Sequence, residues 1–197
     1  SDQTQHRLRH LEALRAAGME PYSLGGEKAG TAASVLGVKD ALRIFSSENI
    51  PDSEFMVSGR VRALRNHGGV LFVTLIEGDK TLQVIMERSL VGERPLSLAS
   101  RNLDTGDIIT VQGTYGVSRT GTLSLIASSW SMASKSLHPI PFDSFTDPEA
   151  RLRRRSTDLL VHPDQMQNLR LRTAVIKALR ARLDAEGFLE VETPILH

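Results

Sequence analysis

Residues 55–64 read Phe-Met-Val-Ser-Gly-Arg-Val-Arg-Ala-Leu, and the fold turns on this stretch. Val57, Gly59, Val61 and Ala63 alternate with Ser58, Arg60 and Arg62, the period-two pattern of a strand buried on one face. Asn66-His67-Gly68-Gly69 then supplies turn chemistry. Residues 70–76 predict a second strand, Gly78-Asp79-Lys80 a tight turn, and residues 81–86 a third strand. Further out, residues 108–117 and 122–132 predict two more strands, joined through Arg119-Thr120-Gly121. Between the third and fourth strands, Leu96, Leu98 and Ala99 suit a short helix, with Pro95 interrupting the segment.

Three consecutive strands, a short helix and two more strands is the order of the oligonucleotide/oligosaccharide-binding (OB) barrel. Gly59 and Gly113, each inside a strand, suit the sharp coiling that a small closed barrel needs. Another small barrel or an unclosed sandwich has a similar strand count; the helix after the third strand favours the OB order.

The flanks read as helices and connections. Leu8, Leu11 and Leu14 fall on one face of a leading helix, Gly18 sits where a C-cap belongs, and Pro21 closes the segment. Residues 23–37, rich in Gly, Ala and Ser, read as a surface connection, and residues 40–46 as a short helix. After the barrel, residues 134–150 carry Pro139, Pro141 and Pro148 and read as a linker. Pro163 opens a helix with an apolar stripe of Leu171, Val175, Ile176, Leu179 and Leu183, stopping at Gly187. Residues 188–197 predict the beginning of a strand. One long amphipathic helix and one strand cannot bury themselves, so this tail reads as the opening of a larger domain.

Composition narrows the class. The 197 residues are 40% hydrophobic and 24% charged, which suits a folded globular chain rather than a disordered one. No apolar run is long enough to span a membrane, and the first six residues lack the basic start and apolar core of a signal peptide. Zero Cys removes disulfides, thiolate nucleophiles and Cys-ligated zinc, and fits a cytoplasmic protein. The net charge of +1 announces no global field for nucleic acid, so any such partner must be recognised locally.

Few patterns carry chemistry on their own. Gly25 and Gly30 have phosphate-loop spacing, but Thr31-Ala32 follows where Lys and a hydroxyl residue must stand. His6 and His10, four apart, share a helix face, yet two imidazoles are one ligand short of a zinc site and read as solvated surface. Glu190 and Glu192 read as solvated charges on a strand. Residues 151–155, Arg-Leu-Arg-Arg-Arg, read as a solvated or interface charge run, with phosphate contact as the sharper alternative. The barrel says more. Single strands are read by an aromatic platform with polar and Arg side chains on the same face, and the first three strands supply Arg60, Arg65, Phe72 and Gln83. Phe72 reads equally as core or platform, and Arg60 and Arg65 as solvated edge charges or nucleic-acid contacts. Gln83, between Leu82 and Val84, is hard to place in a core, because a buried amide needs partners.

Several stretches then carry a resemblance. They are Leu14-Arg15-Ala16-Ala17-Gly18 with Pro21-Tyr22, Val57-Ser58-Gly59-Arg60, Leu71-Phe72-Val73-Thr74-Leu75 and Leu82-Gln83-Val84. Gly106-Asp107-Ile108, Thr120-Gly121-Thr122-Leu123-Ser124 and Ser136-Leu137-His138-Pro139-Ile140-Pro141 continue the series. In this order they resemble class II lysine–tRNA ligases (lysyl-tRNA synthetases) from about Arg7 to His197. The most specific is Gly187-Phe188-Leu189-Glu190-Val191-Glu192-Thr193-Pro194-Ile195-Leu196, similar to class II motif 1, whose Pro, here Pro194, lies at the dimer contact in that family.

By that resemblance Phe72 stacks on an anticodon base, and Arg65 and Gln83 bond the polar edges of that base or its neighbours, with Arg60 a further candidate. Two stretches depart from the family. Thr122 stands where it often has Glu within Thr-Gly-Glu-Leu-Ser, and Arg155-Ser156-Thr157-Asp158-Leu159 lacks the Tyr of Arg-Tyr-x-Asp-Leu. A relaxed anticodon site suits the divergent ligase copy that some bacterial proteins fuse to a membrane lysyl-phosphatidylglycerol synthase, which is one alternative. A stand-alone OB module for single-stranded nucleic acid or protein is another.

The expectation is a mainly β chain with flanking helices. Residues 1–50 form the leading helix and connection, 51–134 a five-stranded OB-fold anticodon-binding barrel, and 135–150 a linker. Residues 151–197 form the opening helix and strand of a class II α+β catalytic domain. The resemblance implies a full-length cytoplasmic homodimer that uses ATP and magnesium to make lysyl-adenylate, then passes lysine to tRNA. Motifs 2 and 3 would lie beyond His197. This segment is therefore expected to hold no catalytic residue, metal ligand or cofactor, to touch no membrane, and to be catalytically silent by itself.

Overall fold

The computed structural model describes residues 2–22, 35–118 and 120–194, in two compact units, Ser1–Phe142 and Asp143–His197. In the first unit α1 (Asp2–Ala16), β1 (Leu36–Gly37) and α2 (Val38–Phe45) precede β2 (Phe55–His67), β3 (Val70–Glu77) and β4 (Lys80–Glu87). Two short helices follow, α3 (Arg88–Val91) and α4 (Glu93–Asn102), then β5 (Ile108–Val117) and β6 (Leu123–Ser134). Antiparallel β2–β3–β4 joins the antiparallel β5–β6 pair through a parallel β4–β6 contact, and β2 pairs with β5 to close the ring. This is the five-stranded OB barrel; the closing β2–β5 pair removes the open-sandwich alternative.

Alternation sets the core. Val57 and Val61, Leu71, Val73 and Leu75, Leu82, Val84 and Met86, Ile109 and Val111, and Leu125 and Ala127 gather from the five strands into one buried cluster. Each large side chain so buried contributes roughly 1.5–3 kcal/mol. α2 adds Val38, Ala41 and Phe45, the last packing edge-on to Phe55 at 5.2 Å, and α4 adds Leu96 and Ala99. Pro95 does not interrupt α4. Gly92 (φ 89°) stands at its N-cap, so Pro95 falls in the first turn, where a missing N–H breaks no intrahelical bond. Trp130 Nε1 donates to the Pro95 carbonyl at 3.1 Å and ties β6 to that turn.

Two irregularities shape the barrel. Gly113 stands at a register shift of β5 against β6, and a Cβ there would lie 2.1 Å from the Ile126 carbonyl oxygen, so only glycine fits. β2 carries a bulge between Val61 and Ala63. Simple alternation puts Ala63 on the face of Val61, but the extra residue reverses the phase. Leu64 then packs against the core, while Ala63 and Arg65 face outward opposite Thr74 and Phe72.

α1 is anchored by charge as well as by apolar contact. It ends in a Schellman motif, with Gly18 at φ 79° and the Met19 N–H donating to the Leu14 carbonyl at 3.0 Å. Arg7, Leu11 and Leu14 are its buried residues, with Leu8 only half-buried. The Arg7 guanidinium donates to the carbonyls of Thr105 (3.0 Å) and Ser136 (2.9 Å). Beside it Lys135, 3% exposed, donates to the Asn102 carbonyl, Asp104 Oδ2 and Asp107 Oδ2 at 2.8, 2.5 and 2.8 Å. Asp107 also accepts the Ser136 and Asp104 N–H groups, so these buried charges are partnered rather than stranded. Burial pushes the Asp104 carboxyl up, but its bonds to Lys135 and His10 outweigh this and hold it below the usual carboxylate range.

The second unit holds α5 (Pro148–Arg153), α6 (Arg155–Val161) and α7 (Pro163–Ala185). Asp147 caps α5 by accepting the Ala150 N–H at 2.8 Å, so Pro148 is an N-terminal helix residue rather than linker. Part of the arginine run is spent internally: Arg151 and Arg155 donate to buried Asp158 at 2.6 and 2.5 Å, with His162 Nδ1 at 2.9 Å. The apolar stripe Leu171, Val175, Ile176, Leu179 and Leu183 of α7 is exposed. Residues 188–194 form no strand, which corrects the expected one. A strand needs a hydrogen-bonding neighbour, and the described part of this unit contains none. Glu190 instead pairs with Arg180 at 2.8 Å. No helix among the described residues is long and apolar enough to cross a membrane. The phosphate-loop-like glycines Gly25 and Gly30, most of the connection around them, Arg119 and His197 lie outside the described residues.

Candidate nucleic-acid interface

Strand register builds the outer face of the first three barrel strands in rows. Arg65 of β2, Phe72 of β3 and Ile85 of β4 lie directly opposite one another. The next row is Ala63, Thr74 and Gln83, with Ser124 of β6 beside Gln83. Directly opposite residues share a face with Cβ atoms about 4.5–5.5 Å apart, so Arg65, Phe72 and Gln83 belong to one patch. Phe72 is half-buried and outside the core cluster, while its neighbours Leu71 and Val73 are buried within it. The two readings of Phe72 left open by the sequence thus separate on strand phase: its ring is on the outer face.

His67 extends this surface. Its ring meets that of Phe72 edge-on, with centroids 5.8 Å apart at 76°. That contact steadies Phe72 by its margin and leaves the ring available for a stacking partner. Arg65 is exposed. Half-buried Gln83 shows no hydrogen bond from its amide to any described residue, which leaves a donor and an acceptor for a ligand. Small Ala63 and Thr74 between them leave room for a flat group. A ring face, an unspent amide and a guanidinium on one sheet surface can stack a base and bond its polar edge.

Arg60 stands apart. It pairs with Ile76, four residues along β3 from Phe72 and so roughly 13 Å away. Its Nη1 donates to the Gly106 carbonyl at 2.8 Å. Burial lowers its pKa, with Asp107 pulling the other way. Its guanidinium is committed to the loop before β5. Thr122, two residues before Ser124, sits exposed at the hairpin, where its N–H is taken by Ser118 Oγ at 3.1 Å. Pro194, in the second unit, is exposed and lies outside any helix or strand. Sequence reading missed His67, which it treated as turn, and the bulge that turns Arg65 outward. A His across a predicted hairpin from an aromatic is a sequence signal for the first, and the second leaves none.

Comparisons with known proteins agree with the barrel. Residues 55–133 match the family described as OB-fold nucleic acid binding domain, and residues 147–197 match tRNA synthetases class II (D, K and N). Similar curated proteins include the lysylphosphatidylglycerol biosynthesis bifunctional protein LysX of Mycolicibacterium vanbaalenii, 38% identical over 99% of this chain. Proteins of the same description from Mycobacterium ulcerans and Rhodococcus jostii are 36% and 35% identical over the same share. The chain spans 17% of the length of each of these relatives. The chain thus joins an OB barrel similar to nucleic-acid-binding OB domains to a segment similar to the class II (D, K and N) tRNA synthetases.

Proposed function

We propose that this chain is the anticodon-reading part of a lysine–tRNA ligase, together with the opening of its catalytic domain. The observation that carries the reading is the Arg65–Phe72–Gln83 patch on the outer face of a barrel of the anticodon-binding type. In this reading Phe72 stacks on a base of the anticodon loop, while Gln83 and Arg65 bond the polar edges. The whole enzyme joins lysine and ATP into lysyl-adenylate and passes lysine to the tRNA, and Pro194 belongs to a dimer contact of its catalytic domain.

The names of the similar proteins favour one setting over the free-standing enzyme. They are described as bifunctional and as serving lysylphosphatidylglycerol biosynthesis. A ligase that supplies lysyl-tRNA to a lipid-modifying partner domain is consistent with Thr122 in place of the expected Glu, since such a ligase need not read every anticodon position. The test is lysine-dependent ATP–pyrophosphate exchange. The longer natural protein containing this segment should catalyse it, and the 197 residues alone should not. Exchange driven by another amino acid, or none with the whole protein, would overturn the ligase assignment.

A further inference from the structure

The sequence leaves His6 and His10 one ligand short of a metal site, and the fold supplies the missing group. The two residues are four apart on α1 and project from one face, with ring centroids 4.2 Å apart. Asp104, 94 residues along the chain from His10, arrives on the loop between α4 and β5 and places Oδ2 2.9 Å from His10 Nδ1. One ring nitrogen from each His and one Asp104 oxygen lie within 4.8 Å of one another. A tetrahedral ion with bonds of about 2.0–2.2 Å holds its ligand atoms roughly 3.3–3.5 Å apart. Small side-chain rotations close that gap.

We propose that His6, His10 and Asp104 bind a borderline divalent cation, zinc foremost, with water completing the shell. Two imidazoles and a carboxylate are the donor set that zinc takes at sites with an open position. His10 and Asp104 are half-buried and His6 is exposed, so two ligands are held by the fold and the third closes over the ion from solvent. Asp104 Oδ2, the oxygen that meets His10, also accepts from Lys135, which holds the carboxylate in place beside the imidazole. The single positive charge of Lys135 is shared between two carboxylates, Asp104 and Asp107, so this cluster of three charges keeps a net negative charge that favours a cation. The bound ion would clamp α1 to the loop that Arg7 and Lys135 already hold, and would stabilise the folded state because the unfolded chain has no such site.

The experiment titrates zinc chloride into the full 197-residue chain, free of any added histidine tag, by calorimetry at about pH 7.5 and about pH 5.5. Thermal melting is followed on the same samples. One zinc per chain and a raised melting temperature are expected at the higher pH, with weaker binding at the lower pH because protons compete with a metal for its ligands. His6→Gln and His10→Gln should each weaken binding by roughly tenfold or more. His6 is exposed, so His6→Gln should melt like the parent without zinc, which separates lost ligation from lost folding. No binding and no melting shift in excess zinc would overturn the proposal, as would unchanged affinity in His6→Gln, which would assign the ion to other residues.

Discussion

Phe72 shows how one strand position decides a role. It is flanked by Leu71 and Val73, and nothing in its own type says which way it points. The ladder does, by setting it opposite Arg65 and Ile85 and outside the core cluster. Phe72→Ala should therefore lower stability by less than the ~3–5 kcal/mol of a buried Phe. It should weaken RNA binding by ~1–3 kcal/mol, the worth of one base–aromatic stack. Melting and binding on one preparation check both, and a large stability loss with unchanged affinity per folded molecule would return Phe72 to the core. Asp104 gives a second prediction at this scale. Its folded pKa lies below the unfolded value of about 3.9, so its contribution is complete above that pH and is lost as pH falls through the folded value. Denaturant melts should show stability falling with acid below about pH 4, and Asp104→Asn should flatten that limb. An equally steep limb in the variant would assign it to other carboxylates such as Asp158, which burial pushes up but Arg151, His162 and Arg155 hold below the usual carboxylate range.

At the scale of elements, the barrel was legible because its signals are local. Period-two alternation in residues 55–64, Gly-rich turns, and a helix after the third strand each depend only on near neighbours. The bulge at Val61/Ala63 was not legible, since a single extra residue leaves the composition unchanged and announces itself only in the register with β3. For the same reason the His6–His10–Asp104 cluster was hidden: its third member is distant in sequence and is brought in by α1 packing on the loop. β1 is two residues long and pairs parallel to β2, too short to show a period. The tail strand failed for the opposite reason, because its residues suit β structure but have no described neighbour to pair with. Gly113 tests the closure directly. Gly113→Ala would place a methyl against the Ile126 carbonyl, a backbone atom that cannot swing aside. It should destabilise the barrel by about 1–3 kcal/mol or more, the usual cost of overpacking. Gly69→Ala, where a Cβ meets nothing within 4 Å, is the control. Equal melting of the two variants would mean that the β5–β6 junction is looser than described.

Over the whole molecule, the two units differ in how far each closes on itself. The first unit has a closed barrel and its own buried core, with α1 anchored through Arg7 to the loop before β5 and to Ser136. The second exposes the apolar stripe of α7, and residues 147–197 match the class II (D, K and N) tRNA synthetases. A function testable on these residues alone is therefore RNA recognition by the barrel. The most direct measurement is a titration of the 197-residue chain with the anticodon stem-loop of lysine tRNA, set against a stem-loop of the same length with a shuffled loop, at about 0.1 M salt. Tighter binding of the lysine loop, with the difference erased in Phe72→Ala and reduced in Gln83→Ala, is the expected outcome. Equal affinity for both loops, or a preference that survives Phe72→Ala in the folded protein, would contradict anticodon reading by this face.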